Sequence, residues 1–188
     1  MQQVLSCELV KQEFIMSVEK VKAGGIFTVT CFDEAGVQKW EAKTPNLVVN
    51  VGLQDMNAKY FSGSAYTATW FLGLYGAGAS NNPAAADTMA SHAGWTEVVA
   101  YSQATRPACT FGTATTANPS VISNTLSVAV FSVNATTVVG GAFLTTNSTK
   151  SGTTGTLFSA ADFQSPGDRS VVSGDTLNVT YQFSVTAV

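Results

Sequence analysis

Residues able to do chemistry are few in this chain, and their spacing does not suit catalysis. Its one histidine, His92, sits between two acids in Asp87-Thr88-Met89-Ala90-Ser91-His92-Ala93-Gly94-Trp95-Thr96-Glu97. A single imidazole makes a metal or acid–base centre only when folding brings further donors to it, so His92 reads as a loop or interface residue. Glycoside cleavage needs two carboxyl groups facing each other across ~5–9 Å. Asp87, Glu97, Asp162, Asp168 and Asp175 are too scattered to nominate such a pair. No Gly-x-Ser-x-Gly elbow occurs, and one histidine limits any serine triad. Gly76-Ala77-Gly78 is too short to cradle a phosphate, and the alternating aspartates of a calcium loop are missing. Cys7, Cys31 and Cys109 lack metal-ligand spacing and read as small hydrophobes in a reduced compartment. The expectation is a protein with no catalytic residue, no metal and no cofactor. The rings of Trp40, Trp70, Trp95, Tyr66, Tyr75 and Tyr101 suit either a sugar-stacking platform or a core, and core packing is the favoured role.

The elements that position these residues are best seen from the end of the chain. Leu177, Val179, Tyr181, Phe183 and Val185 alternate with Asn178, Thr180, Gln182 and Ser184. That is a strand with one face on a core and one on water. Ser173-Gly174-Asp175 supplies a turn before it, with Arg169 to Val172 as the expected partner entering that turn. One strand cannot bury its own face or pair its own amides, so the remaining segments must form the sheets that cover it.

Those segments follow in order. Residues 1–22 form an N-terminal arm, closed by Gly24-Gly25, whose apolar spacing fits neither a helix nor a strand. Residues 26–43 read as a hairpin turning at Asp33-Glu34-Ala35-Gly36. After Thr44-Pro45-Asn46, with Asn46 a candidate cap, Leu47 to Phe61 carries a helical apolar stripe. Gly52 within it implies close packing against a sheet. Ala65 to Tyr75 reads as a buried strand. The Gly-, Ala- and Asn-rich loop 76–93 is long enough to be functional or ordered by a partner. Further strands are expected at 95–101, from Arg106, at 124–133 with 137–145 as its partner, and at 157–163. Strands at this spacing between turn residues describe a mainly β protein: an antiparallel β-sandwich, jelly-roll or immunoglobulin-like, with one helix and an N-terminal arm plus hairpin. Residues 23–188 form its single domain.

Composition narrows the partners. Charged residues make up 11% of the chain, against about 25% in ordinary soluble domains, so much of the surface is expected to be covered by other protein. The net charge of −3 and the interleaving of the early lysines with glutamates leave no basic stripe for nucleic acid. No apolar run approaches the ~18 residues of a membrane helix. Met1-Gln2-Gln3 lacks the basic start of a signal peptide, which implies manufacture in a cytoplasm.

Several segments together resemble virion structural proteins of tailed bacteriophages. These are Asn46-Leu47-Val48-Val49-Asn50-Val51-Gly52-Leu53, Phe71-Leu72-Gly73-Leu74-Tyr75-Gly76, Asp87 to His92 with Gly94-Trp95-Thr96-Glu97, Gly140-Gly141-Ala142-Phe143-Leu144, Thr149-Lys150, Gly155-Thr156-Leu157 and Val171 to Leu177. The similarity spans roughly residues 46–188. It implies a capsid cement or decoration protein that is located in the virion and bound to the major capsid protein and to copies of itself. A tail or fibre component binding a host glycan is the alternative. The candidate contact residues are Val4, Leu5, Leu9, Val10, Phe14 and Ile15 in the arm, with Asn81, Asn82, Pro83, Met89 and His92 in the long loop.

Overall fold

The alternating strand at the end of the chain lies at the centre of one of two sheets. The computed structural model describes residues 20–66, 69–76, 82–164 and 167–188. In chain order its elements are β1 (Val21–Phe32), β2 (Gln38–Pro45), β3 (Leu47–Val48), α1 (Asn50–Phe61), β4 (Phe71–Gly76), β5 (Glu97–Val98), β6 (Ser120–Ser123), β7 (Ala129–Ser132), β8 (Thr137–Thr145), β9 (Leu157–Asp162), β10 (Arg169–Val171) and β11 (Thr176–Ala187). The protein is mainly β, and all its strand pairs are antiparallel. The first sheet runs β2-β1-β11-β6, with β7 also on β11; the second runs β3-β9-β8-β4-β5, with β10 also on β8.

The first sheet follows directly from the sequence pattern. β1 and β11 pair over twelve registered positions, from Val21 opposite Ala187 to Phe32 opposite Thr176. The β1–β2 hairpin turns where expected. Asp33 Oδ1 accepts the Ala35 and Val37 N–H groups (3.0 and 2.8 Å), and Gly36 takes the positive φ of 79° that the turn requires. Gly24-Gly25 does not end an arm: β1 starts at Val21 and runs through both glycines. The Tyr181 ring packs so closely over Gly25 that no Cβ would fit there.

β6 and β7 share one edge of β11 but leave a gap between them. β6 pairs with Gln182–Val185 and β7 with Thr176–Val179. Fully buried Asn124 fills the gap: its Oδ1 accepts Tyr181 N–H (2.6 Å), and its Nδ2 donates to Val179 O (3.3 Å) and Ser127 O (3.2 Å). A strand over 124–133 was expected, with 137–145 beside it. Instead, residues 124–128 turn, and β7 and β8 lie in different sheets. The side-chain amide of Asn124 does there what a ladder position would do.

The two sheets enclose a core of Phe27, Val29, Cys31, Phe131, Leu177, Val179 and Tyr181 from the first, and Leu72, Leu74, Val139, Ala142, Leu144 and Ala161 from the second. A polar strap joins them at one edge. Asn46 Oδ1 accepts Gly25 N–H (2.5 Å), Asn46 Nδ2 donates to the Tyr181 hydroxyl (2.8 Å), and Ser159 Oγ donates to that same hydroxyl (3.3 Å). Thr44 Oγ1 also reaches across, donating to Asp162 O (2.7 Å). Asn46 is therefore an inter-sheet tie rather than a helix cap. α1 starts later than expected, at Asn50, because Leu47 and Val48 pair with β9. Its Gly52 lies against the Phe158 carbonyl with no room for a Cβ, the close approach that the glycine implied.

The second sheet is covered on its outer face as well. Val49, Tyr75, Met89, Trp95, Phe143, Leu157 and Ala160 form a separate small core there. Phe143 lies over Gly73 and Tyr75 over Gly141, each ring on the glycine opposite it across the β4–β8 pair. The expected strand over 95–101 shortens to Glu97–Val98, and that over 65–75 to Phe71–Gly76. From Arg106 the chain forms no regular strand. Residues 107–109 bond the edge of β4 (Leu72 N–H to Pro107 O, 2.9 Å; Cys109 N–H to Trp70 O, 2.7 Å), then Gly112 and Thr115 bond β6. This segment closes one side of the sandwich by crossing from sheet to sheet. β10 was expected to pair with the last strand, but it pairs with β8 through Arg169 opposite Val139.

Candidate functional site

The outer face of the first sheet is broad and almost without charge. Because the side chains of Phe27, Val29, Cys31, Leu177, Val179 and Tyr181 turn inward, their neighbours along each strand turn outward. The registers set these in rows across the sheet: Lys43, Thr28 and Thr180; Glu41, Thr30, Asn178 and Val130; Ile26, Gln182 and Ser123; Gly24, Ser184 and Val121. The charges on this face are Lys43 and Glu41 on the edge strand β2, where they guard the sheet against further pairing, and Lys22 near the start of β1, opposite Thr186. Thr30 Oγ1 donates to Glu41 Oε2 (3.2 Å). Between them the face is threonine, asparagine, glutamine, serine, glycine, valine and isoleucine.

At one end of the sandwich the sheets part to leave an apolar cleft. Trp70, Leu144 and Phe158 face Ile122, Tyr181 and Phe183 across a space of about 140 Å³, with Tyr66 and Phe111 at its mouth. A wider hollow beside it, bounded by Thr69, Cys109 and Thr110, shares Tyr66, Trp70, Phe111 and Ile122. A bulge aims Phe158 here: Leu144 pairs with Ser159 and Thr145 with Leu157, so Phe158 is the extra residue. Two of the six rings singled out in the sequence, Tyr66 and Trp70, therefore border an opening. Trp95, Tyr75 and Tyr101 are core residues, and half-buried Trp40 packs edge-on to Phe163. Further along, the end of α1 presents Tyr60 and Phe61, 84% and 78% exposed and edge-to-face with each other. The apolar stripe expected on this helix does not bury as a whole. Gly52 is its one buried residue, and Leu53, Tyr60 and Phe61 remain exposed.

The polar candidates are held in structural bonds. The His92 ring stacks on Trp95 at 3.8 Å, and its Nδ1–H donates to Trp95 O (2.9 Å). Asp87 braces the same turn, accepting from Trp95 Nε1 (3.0 Å) and Ala84 N–H (2.9 Å). Met89 is 2% exposed, inside the outer core, so in this chain its side chain faces its own fold. Asn82 is exposed and Pro83 half-buried at the start of this segment. Val4, Leu5, Leu9, Val10, Phe14, Ile15 and Asn81 lie outside the described residues. The loop is thus self-packed over residues 82–95, with Ala85 O accepting the first helical N–H, that of Asn50 (2.8 Å).

Two ion pairs escaped sequence reasoning. Arg106, 1% exposed, grips Glu97 with both arms of its guanidinium (Nε to Oε1 2.8 Å, Nη2 to Oε2 2.7 Å) and donates to Asn147 O (2.7 Å) from Nη1. Glu97 Oε2 also accepts Ser151 N–H (2.6 Å), so the pair pins the 147–152 turn onto the second sheet. The one hint in the sequence is that an isolated arginine, one of two in the chain, must find a partner wherever it folds. Lys39 Nζ meets Asp175 at 2.6 Å. Burial alone would raise the Asp175 pKa, but the hydrogen bonds from Lys39 and from Val172 N–H outweigh it and hold the carboxyl below its usual range. Cys31, buried near that carboxylate, has its thiol pushed up to about 11, and burial pushes Cys109 up to about 12. Asp162 is raised by burial and by neighbouring Asp168, close to the buried Tyr75 hydroxyl. Among the described residues no three His, Cys, Asp or Glu side chains cluster as a metal site would require, and no helix is long and apolar enough to cross a membrane. Comparison with protein-family models, curated proteins and solved structures finds no match.

Proposed function

We propose that this chain is a non-enzymatic structural protein of a virus particle, a cement that lies across capsid subunits and stabilises the head shell. Its partners are the major capsid protein and further copies of itself. The reading begins from the resemblance of the segments between residues 46 and 188 to tailed-phage virion proteins. The observation that carries it is the sparsely charged outer face of β1, β11, β6 and β7, whose one charge on these strands, Lys22, stands at the sheet's end opposite Thr186. Interface centres are depleted in charge, and short hydroxyl and amide side chains desolvate at lower cost than ions. Thr28, Thr30, Asn178 and Thr180 on a rigid sheet also lose little side-chain freedom on contact.

Copy number in purified particles tests this. A cement is present in many copies per shell, and its deletion leaves heads fragile to heat and osmotic shock. The open cleft with Tyr66 and Trp70 at its rim favours a second reading, a tail or fibre module that binds host glycan. That reading requires few copies and a loss of adsorption without loss of shell stability. Absence from particles overturns both.

A further inference from the structure

One end of the sandwich carries both a pair of projecting rings and a cleft the size of a ring. We propose that two copies of this chain meet there, the Phe61 ring of each entering the cleft of the other among Trp70, Phe158 and Phe183. The inference rests on the reading above in one respect, that further copies of the chain are among its partners, and it names the surface they share.

The cleft has a space of about 140 Å³, and none of the residues lining it is charged. An apolar cavity of roughly 150 Å³ takes up one benzene. Cleft and projecting rings belong to one aromatic surface. Trp70 packs edge-on to Phe158, and Phe158 to Phe183, each at 5.4 Å, while Trp70 Nε1 donates to the Tyr66 hydroxyl at the mouth (3.4 Å). Phe61, edge-to-face with Tyr60, comes five residues before Tyr66. The end of α1 is locked in place, so these rings do not turn back into their own fold. Ser62 and Ser64 N–H both donate to Ala58 O (3.2 Å each), Gly63 takes a φ of 67°, and Lys59 Nζ donates to Ala65 O. A projecting ring and a receptive cleft on one patch are satisfied together by a two-fold axis, which gives each copy the other's ring. The area suffices. Tyr60, Phe61 and Tyr66 are 84%, 78% and 60% exposed, and at ~150–250 Å² per ring they offer roughly 300–550 Å² per copy. With the half-buried Trp70 and Phe183 added, two copies together reach the ~1,000 Å² at which specific interfaces begin. A lone monomer rarely leaves so much contiguous apolar surface to water.

Sedimentation and hydroxyl-radical footprinting of the isolated full-length protein test this, and their failure would leave copy number in particles untouched. A dimer is expected at about 100 μM that dissociates by about 1 μM, as an interface near the lower size limit does. Trp70 and Phe61 label several-fold more slowly in the dimer than in the monomer, while Leu126, 95% exposed elsewhere, labels equally in both. Phe61→Lys gives a monomer at both concentrations, with the urea midpoint of the dilute native chain, because a charge does not seat in an apolar cleft. Leu126→Lys leaves the dimer as it was. Any of four results would overturn the proposal: a native monomer at the higher concentration, a dimer that survives Phe61→Lys or is lost with Leu126→Lys, growth beyond two copies, or a single Trp70 labelling rate in monomer and dimer.

Discussion

β11 and β8 are both interior strands, each paired along both edges, yet they read quite differently. β11 alternates apolar and polar residues, while β8 runs Thr137-Val138-Val139-Gly140-Gly141-Ala142-Phe143-Leu144-Thr145, buried at every position from Val139 onward. The cause lies on the outer faces. β11 turns Asn178, Thr180 and Gln182 toward water, whereas the outer face of β8 carries Phe143 and Gly141 under Tyr75, Trp95 and Met89. A sheet with one wet face keeps its period of two, and a sheet buried on both faces loses it. The second sheet therefore depends on cover brought from distant segments, and the first sheet offers a surface that nothing within the described residues covers.

Phe143→Ala probes that dependence hardest. Its ring lies over Gly73, packs 5.1 Å from Trp95 and sits 5.2 Å beneath the Arg106 guanidinium. Its loss should cost about 4 kcal/mol in urea unfolding. Arg106→Met strands Glu97 as a buried, unpaired carboxylate and should cost about 3 kcal/mol, most of it recovered in the double variant Arg106→Met/Glu97→Leu. On the first sheet, Asn124→Ala leaves Tyr181 N–H unpaired where β6 and β7 part, and about 2 kcal/mol is expected.

A smaller effect depends on pH. The Asp175 pKa is held below its unfolded value by Lys39 and Val172 N–H, despite burial. Its contribution to stability is therefore complete above about pH 4, the unfolded carboxylate range, and is lost as pH falls through the lower folded value. The stability gap between the native chain and Lys39→Met should be steady near neutrality and shrink in acid. Smallest of all is Thr180→Ala on the wet face, expected within about 0.5 kcal/mol. If Thr180→Ala cost as much as Phe143→Ala, the contrast between the faces would fail.

The same contrast explains what the sequence revealed. β11, the β1–β2 hairpin and its Gly36 turn were legible because their signals are local: a period of two and one positive-φ glycine. Gly52 announced the close approach of α1 to β9. The partners of β8 and β10 were not legible, since adjacency in sequence suggested hairpins where the chain in fact changes sheets. Asn124 concealed a break because its apolar neighbours keep strand alternation while its side chain replaces the ladder. Met89 fell in the expected loop 76–93 and Trp95 at the start of an expected strand, because two residues are too few to show a period, though together they roof the second sheet. The sparsely charged outer face was foreseen only as a composition. Its placement on one sheet, in rows set by the β1–β11 register, required the fold.

The most direct test of the account is a double substitution on that face, Thr28→Lys with Thr180→Lys, placed side by side in one row of the sheet. The account predicts a variant that folds with native urea stability to within about 1 kcal/mol, like charges opposite each other costing little where water reaches them, yet is missing from purified particles. Incorporation at the full native copy number would contradict it.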